Sequence, residues 1–185
     1  MGKQDLLSAV VADVAANGIG DRSLRDIGAA VGTSHRMLIH HFGSRQGLLT
    51  EVVRHVEAEQ RQAFLAAAVP ADQLSLVMWR RLRDPAVWPN ERLFFECYAR
   101  AAQGEQPYAS LLPGLVNDWL DAFTLPHPDD PAAQRARAEA RLALALFRGL
   151  LLDLVGTEDR AGVDAAFDVY RDLESLARSE AFRAR

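Results

Sequence analysis

One stretch decides the fold: Ser23-Leu24-Arg25-Asp26-Ile27-Gly28-Ala29-Ala30-Val31-Gly32-Thr33-Ser34-His35-Arg36-Met37-Leu38-Ile39-His40-His41-Phe42-Gly43-Ser44-Arg45. Ser23 is placed to cap a helix of about two turns, which Gly32 ends because glycine adopts a left-handed turn at little cost. A second short helix follows, with Leu38 and Phe42 on one face. Two short helices joined by a tight turn form a helix-turn-helix, which presents its second helix to the major groove of DNA.

The charge of the chain is divided unevenly. Residues 1–55 hold six Lys and Arg against five Asp and Glu, and four of the five histidines. The remaining residues hold 15 bases and 20 acids. Only the N-terminal segment therefore has a charge balance that suits binding to phosphate, and DNA would repel the acidic remainder.

The remainder of the sequence excludes several classes of protein. No apolar run approaches the length of a membrane span, the N-terminus lacks a secretion signal, and the single cysteine, Cys97, suits a reducing cytosol. The sequence therefore predicts a cytoplasmic protein. No nucleophile elbow, phosphate loop or dinucleotide fingerprint is present, so we expect neither an enzyme nor a cofactor.

Helical spacing of apolar residues recurs along the whole chain, so the predicted fold class is all-α. Residues 1–45 are predicted to form a three-helix DNA-binding domain with the helix-turn-helix. A long helix over about 45–68 links it to a larger helical ligand-binding and dimerisation domain, assigned to 46–185. Helices are expected in that domain at about 72–83, 90–103, 106–124, 132–155 and 159–183, with a proline-rich loop at 126–131.

A recognition helix needs few anchors and many outward side chains. With Leu38 and Phe42 as anchors, the side chains left for DNA are His35, Arg36, Met37, Ile39 and His40. Arg36 suits a forked contact to guanine. The turn at Thr33 and Ser34 offers a helix N-terminus to a phosphate, and Arg25 and Arg45 are placed to clamp the backbone.

The whole N-terminal block resembles the DNA-binding domain of the TetR family of bacterial transcriptional regulators. The resemblance runs through Leu6–Val10, Gly18, Ser23–Gly28, Val31–Ser34, Leu38–Phe42, Ser44-Arg45 and Leu48. It implies a homodimeric repressor that binds a palindromic DNA operator and is released when a small molecule in the C-terminal domain shifts the fourth helix. By family position, the groove would be faced by Thr33, Arg36, Met37 and His40. Backbone contacts would come from Arg25, Ser34, Ile39, His41 and Arg45.

The chain departs from the family at two of these positions. Ile39 stands where the family usually has a tyrosine, whose hydroxyl commonly donates to a phosphate, and isoleucine has no donor. Arg45 replaces the usual lysine and keeps the charge. We expect DNA binding with one phosphate contact fewer per subunit.

Two further sites are predicted in the C-terminal part. Aromatic side chains crowded into the middle third suggest an apolar pocket for a flat or greasy ligand, lined by Met78, Trp79, Trp88, Phe94, Phe95, Tyr98, Trp119 and Phe123. The last two helices carry more apolar surface than one core can cover, which predicts a dimer interface through Phe147, Leu150, Leu151, Leu154, Phe167 and Tyr170.

Alternatives remain open at this point. A helical small-molecule sensor or interaction protein with weakened or lost DNA binding is the main rival, favoured by Ile39 and by the weak basic balance. Glu51, His55 and Glu59 share one helix face at a spacing that could contribute metal ligands, but a solvated face explains them better and no metal site is predicted.

Overall fold

The computed structural model describes residues 2–66, 69–70, 73–123 and 130–183, and its regular elements are all helical. The α-helices are α1 (Lys3–Asn17), α2 (Leu24–Ala30), α3 (His35–Phe42), α4 (Arg45–Ala66), α5 (Leu74–Leu82), α6 (Trp88–Ala102), α7 (Leu112–Phe123), α8 (Pro131–Thr157) and α9 (Arg160–Arg183). Short 3₁₀ turns precede α6 at Pro85–Val87 and α7 at Tyr108–Leu111. The predicted all-α class is confirmed.

The helix-turn-helix begins at a reciprocal cap. Ser23 Oγ accepts from the amide of Asp26 at 3.3 Å, and a carboxylate oxygen of Asp26 accepts from the amide of Ser23 at 2.9 Å. These two bonds satisfy donors that the start of α2 would otherwise leave open. Ser23 Oγ also donates to the same carboxylate oxygen at 2.6 Å, and this bond, together with that from the Ser23 amide, holds the pKa of the Asp26 carboxyl below its ordinary value.

The N-terminal helices do not form an isolated domain. One cluster of buried side chains runs from α1 through α3 and α4 into α6 and the turn before α7. Its members include Leu6, Leu38 and Leu49 on the N-terminal side. Cys97 and Leu115 continue it in the body. Because α1 packs directly on α6, the two predicted domains share a core, and α4 is not their only contact.

A second buried cluster joins α5, α6, α8 and α9. Trp79 stacks on Phe167 with ring centroids 5.1 Å apart, and Trp79 Nε1 donates to Asp164 at 2.9 Å. Arg83 pairs with the same carboxylate. These contacts fix α5 against the last helix of the described chain.

Two predicted helix boundaries are corrected. The sequence suggested that α6 starts after Pro89, but the helix starts at Trp88 with Pro89 in its first turn. Proline is tolerated there because first-turn amides have no partner within the helix. The single helix expected over 106–124 is divided into the 3₁₀ turn at Tyr108–Leu111 and α7. Most of the loop predicted at 126–131 lies outside the described residues. No helix in the part of the chain described is long and apolar enough to cross a membrane.

Candidate nucleic-acid interface and effector cavity

The helix α3 is held by two side chains and otherwise faces outward. Leu38 is fully buried and Phe42 is 8% exposed, whereas Met37 and Ile39 are 40% and 45% exposed. The outward side chains are His35, Arg36, Met37, Ile39 and His40, all exposed. The structure therefore gathers these five predicted contact residues on one accessible helix.

The entry to α3 depends on close backbone packing against α2. Ser34 Oγ accepts from the amide of Met37 at 3.3 Å, and the amide of Thr33 donates to the Gly28 carbonyl at 2.8 Å. A Cβ at Gly28 would lie 2.9 Å from the Thr33 carbonyl oxygen. Gly32 has a φ of +70°, which favours glycine. The angle between the two helices therefore requires both glycines.

His41 is oriented differently from its neighbours on α3. Its ring lies edge-on to His40 and Phe42, with centroids 4.9 and 6.2 Å away. Its Nε2 is buried and has no hydrogen-bond partner among the residues that the structure describes. A phosphate contact by His41 would need the other ring nitrogen.

The two predicted backbone clamps differ in their surroundings. Arg25 is exposed on α2. Arg45, at the start of α4, donates from Nε to the Arg22 carbonyl and from Nη2 to the Gly20 carbonyl, both at 2.7 Å. Two of its five N–H donors thus hold the α1–α2 connection, and three remain for other partners.

An open cavity of about 370 Å³ lies between α6, α7 and α8. It is lined by Phe94, Phe95, Tyr98, Val116, Arg141, Leu144, Ala145, Arg148, Gly149 and Leu152. Three of the eight predicted pocket residues, namely Phe94, Phe95 and Tyr98, therefore contribute to it.

The other five predicted pocket residues lie in two other places. Trp79, Trp88 and Met78 belong to the cluster that joins α5 to α8 and α9. Trp119 and Phe123 form a separate aromatic group with Phe64 of α4, with ring centroids 5.2 to 6.3 Å apart. These five residues do not line the cavity between α6, α7 and α8, and their assignment to a pocket stays a prediction.

The predicted dimer residues are also mostly internal. Phe147, Leu151, Leu154 and Phe167 are 1–4% exposed within the single chain, so they are core residues and this part of the prediction is corrected. Leu150 and Tyr170 pack partly against the same cluster. The apolar side chains of α8 and α9 that remain exposed are Leu142, Leu152, Val169, Leu173 and Leu176. We call this set the α8–α9 face; one of its members, Leu152, also lines the cavity.

A buried polar network links α4 to the C-terminal helices, and the sequence analysis missed it. Glu57 of α4 accepts at Oε2 from Trp119 Nε1 at 2.8 Å and lies 3.4 Å from Arg148 Nη2. Arg148 also donates to the Leu115 carbonyl at 2.6 Å. One signal was available, because Glu57 continues the i, i+4 stripe of Leu49 and Val53, where an apolar residue is expected.

Burial dominates the electrostatics of this network. Desolvation raises the pKa of Glu57 and lowers that of Arg148, although each charge partly compensates the other. A second buried acid, Glu91 of α6, accepts from Gln60 Nε2 at 2.6 Å. Burial raises the pKa of Glu91 to about 7.

Two of the candidate metal ligands on α4 contact each other, and the third pairs with two cations outside the set. His55 lies 3.3 Å from Glu59, whereas Glu51 pairs with Arg54 at 2.6 Å and with Lys3 at 3.8 Å. Within the described ranges, no group of three or more His, Cys, Asp or Glu side chains is placed to hold a metal ion.

Known proteins resemble this chain at two levels. The family model for bacterial regulatory proteins of the TetR family matches residues 6–52, which span α1, the helix-turn-helix and the start of α4. No curated protein sequence is significantly similar to the chain.

Solved structures share the whole fold. A transcriptional regulator from Rhodococcus sp. is 19% identical and superposes with a TM-score of 0.69, covering 94% of this chain and 95% of its own. A TetR-family transcriptional regulator from Pectobacterium atrosepticum is 20% identical with a TM-score of 0.62, covering 95% and 91%. At these identities the likeness establishes the fold.

Proposed function

We propose that this chain, whose residues 6–52 match the model of the TetR family of bacterial regulatory proteins, is a ligand-responsive transcriptional repressor of that family. In this proposal a dimer binds a palindromic operator and a small, largely apolar effector releases it.

The observation that carries the proposal is the outward surface of α3. Two anchors, Leu38 and Phe42, leave the exposed side chains of a two-turn helix free of intramolecular packing. A helix of this kind enters the major groove with its N-terminal residues against the base edges.

The contact roles follow from position on the helix-turn-helix. Arg36 is exposed in the first turn of α3 and would bind guanine O6 and N7 as a fork. The groove would also be faced by Thr33, Met37 and His40. Backbone contacts would come from Arg25, Ser34, Ile39, His41 and the remaining donors of Arg45.

Dimerisation would use the α8–α9 face. Its five large apolar side chains are 53–69% exposed in the single chain, and exposed apolar patches of this kind mark association. A dimer that reads two adjacent half-sites needs its two copies of α3 about 34 Å apart, one helical turn of DNA.

The effector would act through differential affinity. A ligand shifts a two-state protein only as far as it binds one state better than the other. The helix α4 begins at Arg45, beside the helix-turn-helix. About three turns later its Glu57 contacts Arg148, which lines the cavity. Displacement of α4 by a ligand in the cavity would change the spacing of the two recognition helices.

The test is the salt dependence of binding to the DNA upstream of the gene itself. A repressor should bind a specific site at least about 10³-fold more tightly than random DNA, and log affinity should fall linearly with log salt. Arg36→Ala should relax base preference, and Arg25→Ala should weaken all sequences about equally. Arg54→Ala is the matched control, since Arg54 is an exposed arginine on α4 already paired with Glu51.

Failure of this test favours one specific alternative. If the chain shows no preference for any site and Arg36→Ala behaves like Arg54→Ala, the repressor proposal is overturned. A helical sensor without DNA binding would then be the better reading, consistent with Ile39 in place of the usual tyrosine.

A further inference from the structure

The charged groups of the cavity are of one sign. Among the residues that line it, only Arg141 and Arg148 are charged, and none is acidic. Arg141 is exposed and has no hydrogen bond or ion pair within the part of the chain that the structure describes. A guanidinium without a carboxylate partner at the edge of an apolar cavity favours an anion.

Arg148 presents a second guanidinium on the same wall. Its guanidinium carbon lies 5.0 Å from the ring centroid of Phe94 and 5.9 Å from that of Tyr98. Its hydrogen bonds to Glu57 and to the Leu115 carbonyl both come from Nη2, which leaves the N–H groups of Nε and Nη1 for another acceptor. Arg148 therefore has both the charge and the spare donors to bind a carboxylate.

The remaining walls restrict the rest of the ligand. Phe94, Phe95, Val116 and Leu144 are apolar, and Tyr98 supplies the hydroxyl group among the lining side chains. A polyol would bury hydroxyl groups without partners, at a high free-energy cost. The volume of about 370 Å³ is at the lower end of the range for small-molecule sites.

We infer that this cavity binds a small apolar monocarboxylate, with Arg141 and Arg148 holding the carboxylate and the aromatic wall holding the apolar part. The inference rests on the proposed function, since it names the chemical class of the effector.

The contact between Arg148 and Glu57 would couple ligand binding in the cavity to α4. A carboxylate bound by Arg148 competes with Glu57 for the guanidinium, and Glu57 is a buried acid on the helix that begins beside the helix-turn-helix. Loss of its cation leaves the carboxylate of Glu57 to take up a proton or to move with α4.

Matched acid and amide probes test the inference. Naphthalene-2-carboxylate and naphthalene-2-carboxamide have the same ring and nearly the same shape, and octanoate and octanamide form a linear pair. Calorimetric titration of the full chain without DNA should show at least one acid binding about tenfold or more tightly than its amide. Octanoate binding alone would indicate a linear acid, and naphthalene-2-carboxylate binding alone would indicate a flat one.

Variants assign the preference to the two arginines. Arg141→Gln should remove most of the advantage of the acid without changing binding of the amide. Arg135→Gln should leave both unchanged, because Arg135 is exposed on α8, pairs with Glu139 and lies outside the cavity. Since Arg148→Gln alone leaves Glu57 unpaired and can prevent folding, Arg148 is tested together with Glu57→Gln, and this double variant should also lose the acid preference.

Three results of the titrations would overturn the inference. They are equal binding of acid and amide, equal effects of Arg141→Gln and Arg135→Gln, and no binding of any probe at millimolar concentration. If the acid dissociates a dimer, the cavity is a binding surface for a second copy of the chain. That result would also overturn the inference. Because these titrations contain no DNA, failure of operator binding refutes the repressor proposal without affecting the measured ligand class.

Discussion

Nε of Arg45 donates a hydrogen bond to the carbonyl oxygen of Arg22 at 2.7 Å, so the first residue of α4 holds the connection between α1 and α2. Nη2 donates to the Gly20 carbonyl at the same distance. This side chain, expected from the sequence to clamp DNA, therefore also braces the domain that presents α3. The effect of substituting Arg45 on stability therefore has to be measured separately from its effect on DNA binding.

We predict that Arg45→Ala lowers the free energy of unfolding by about 1–3 kcal/mol, because two charge-assisted hydrogen bonds to carbonyl oxygens are lost. It should also weaken binding to all DNA sequences and make the salt dependence shallower. Arg45→Lys is the control, since lysine keeps the charge but cannot form the same forked contact. It should lose stability yet keep the salt slope. A wild-type unfolding curve for Arg45→Ala would contradict the bracing role.

The helix-turn-helix could be predicted because its determinants are local. The cap at Ser23, the glycine turn at Gly32 and the anchors Leu38 and Phe42 lie within about twenty residues, and each acts on its own neighbours in sequence. The competing interaction at Arg45 was not predictable in this way. Its carbonyl partners lie 23 and 25 residues earlier, across a turn whose path the pattern does not specify.

The cavity was predicted only in part because it depends on how distant helices pack. An aromatic side chain in an apolar stripe can face core or cavity, and the stripe does not distinguish the two. Trp79 is buried because α9 brings Phe167 against it, about ninety residues later in the chain. Phe95 and Tyr98 line the cavity because α8 passes them with Gly149 on the open side.

We predict that Ile39→Tyr strengthens binding to all DNA sequences by a few fold. Ile39 is 45% exposed on α3, so a larger side chain is accommodated, and a phenolic hydroxyl would supply the missing donor to a phosphate. The salt slope should stay unchanged because no charge is added. Ile39→Phe provides the ring without the hydroxyl and should not strengthen binding. Equal effects of the two substitutions would assign the gain to ring packing instead.

The pH dependence of stability should report Glu91. In the folded chain the pKa of the Glu91 carboxyl is about 7, whereas its ordinary value is 4.5, so the folded chain keeps the carboxyl protonated to a higher pH. Folding therefore takes up a proton between these values, so stability falls as pH rises from 4.5 to 7 and the loss persists above 7.

We predict that Glu91→Gln stabilises the protein relative to wild type by about 3 kcal/mol at pH 8 and by little at pH 4.5. Glutamine keeps an oxygen that can accept from Gln60. Glu96→Gln, on the same helix but half-exposed, is the control and should not show this trend. Urea unfolding at several pH values measures it. A constant difference between Glu91→Gln and wild type across this range would show that the carboxyl is not the titrating group.

We predict that Leu173→Glu dissociates the dimer and weakens operator binding by at least about tenfold. Leu173 is 61% exposed on α9 and belongs to the α8–α9 face, and a charge there would be buried without a partner in a dimer formed through this face. Leu65→Glu is the matched control, because Leu65 is 52% exposed on α4, outside that face. Sedimentation should give a monomer for the first variant and the wild-type species for the second. If Leu173→Glu sediments as wild type, or if both variants dissociate alike, the subunits associate through another surface and the spacing argument for α3 fails with it.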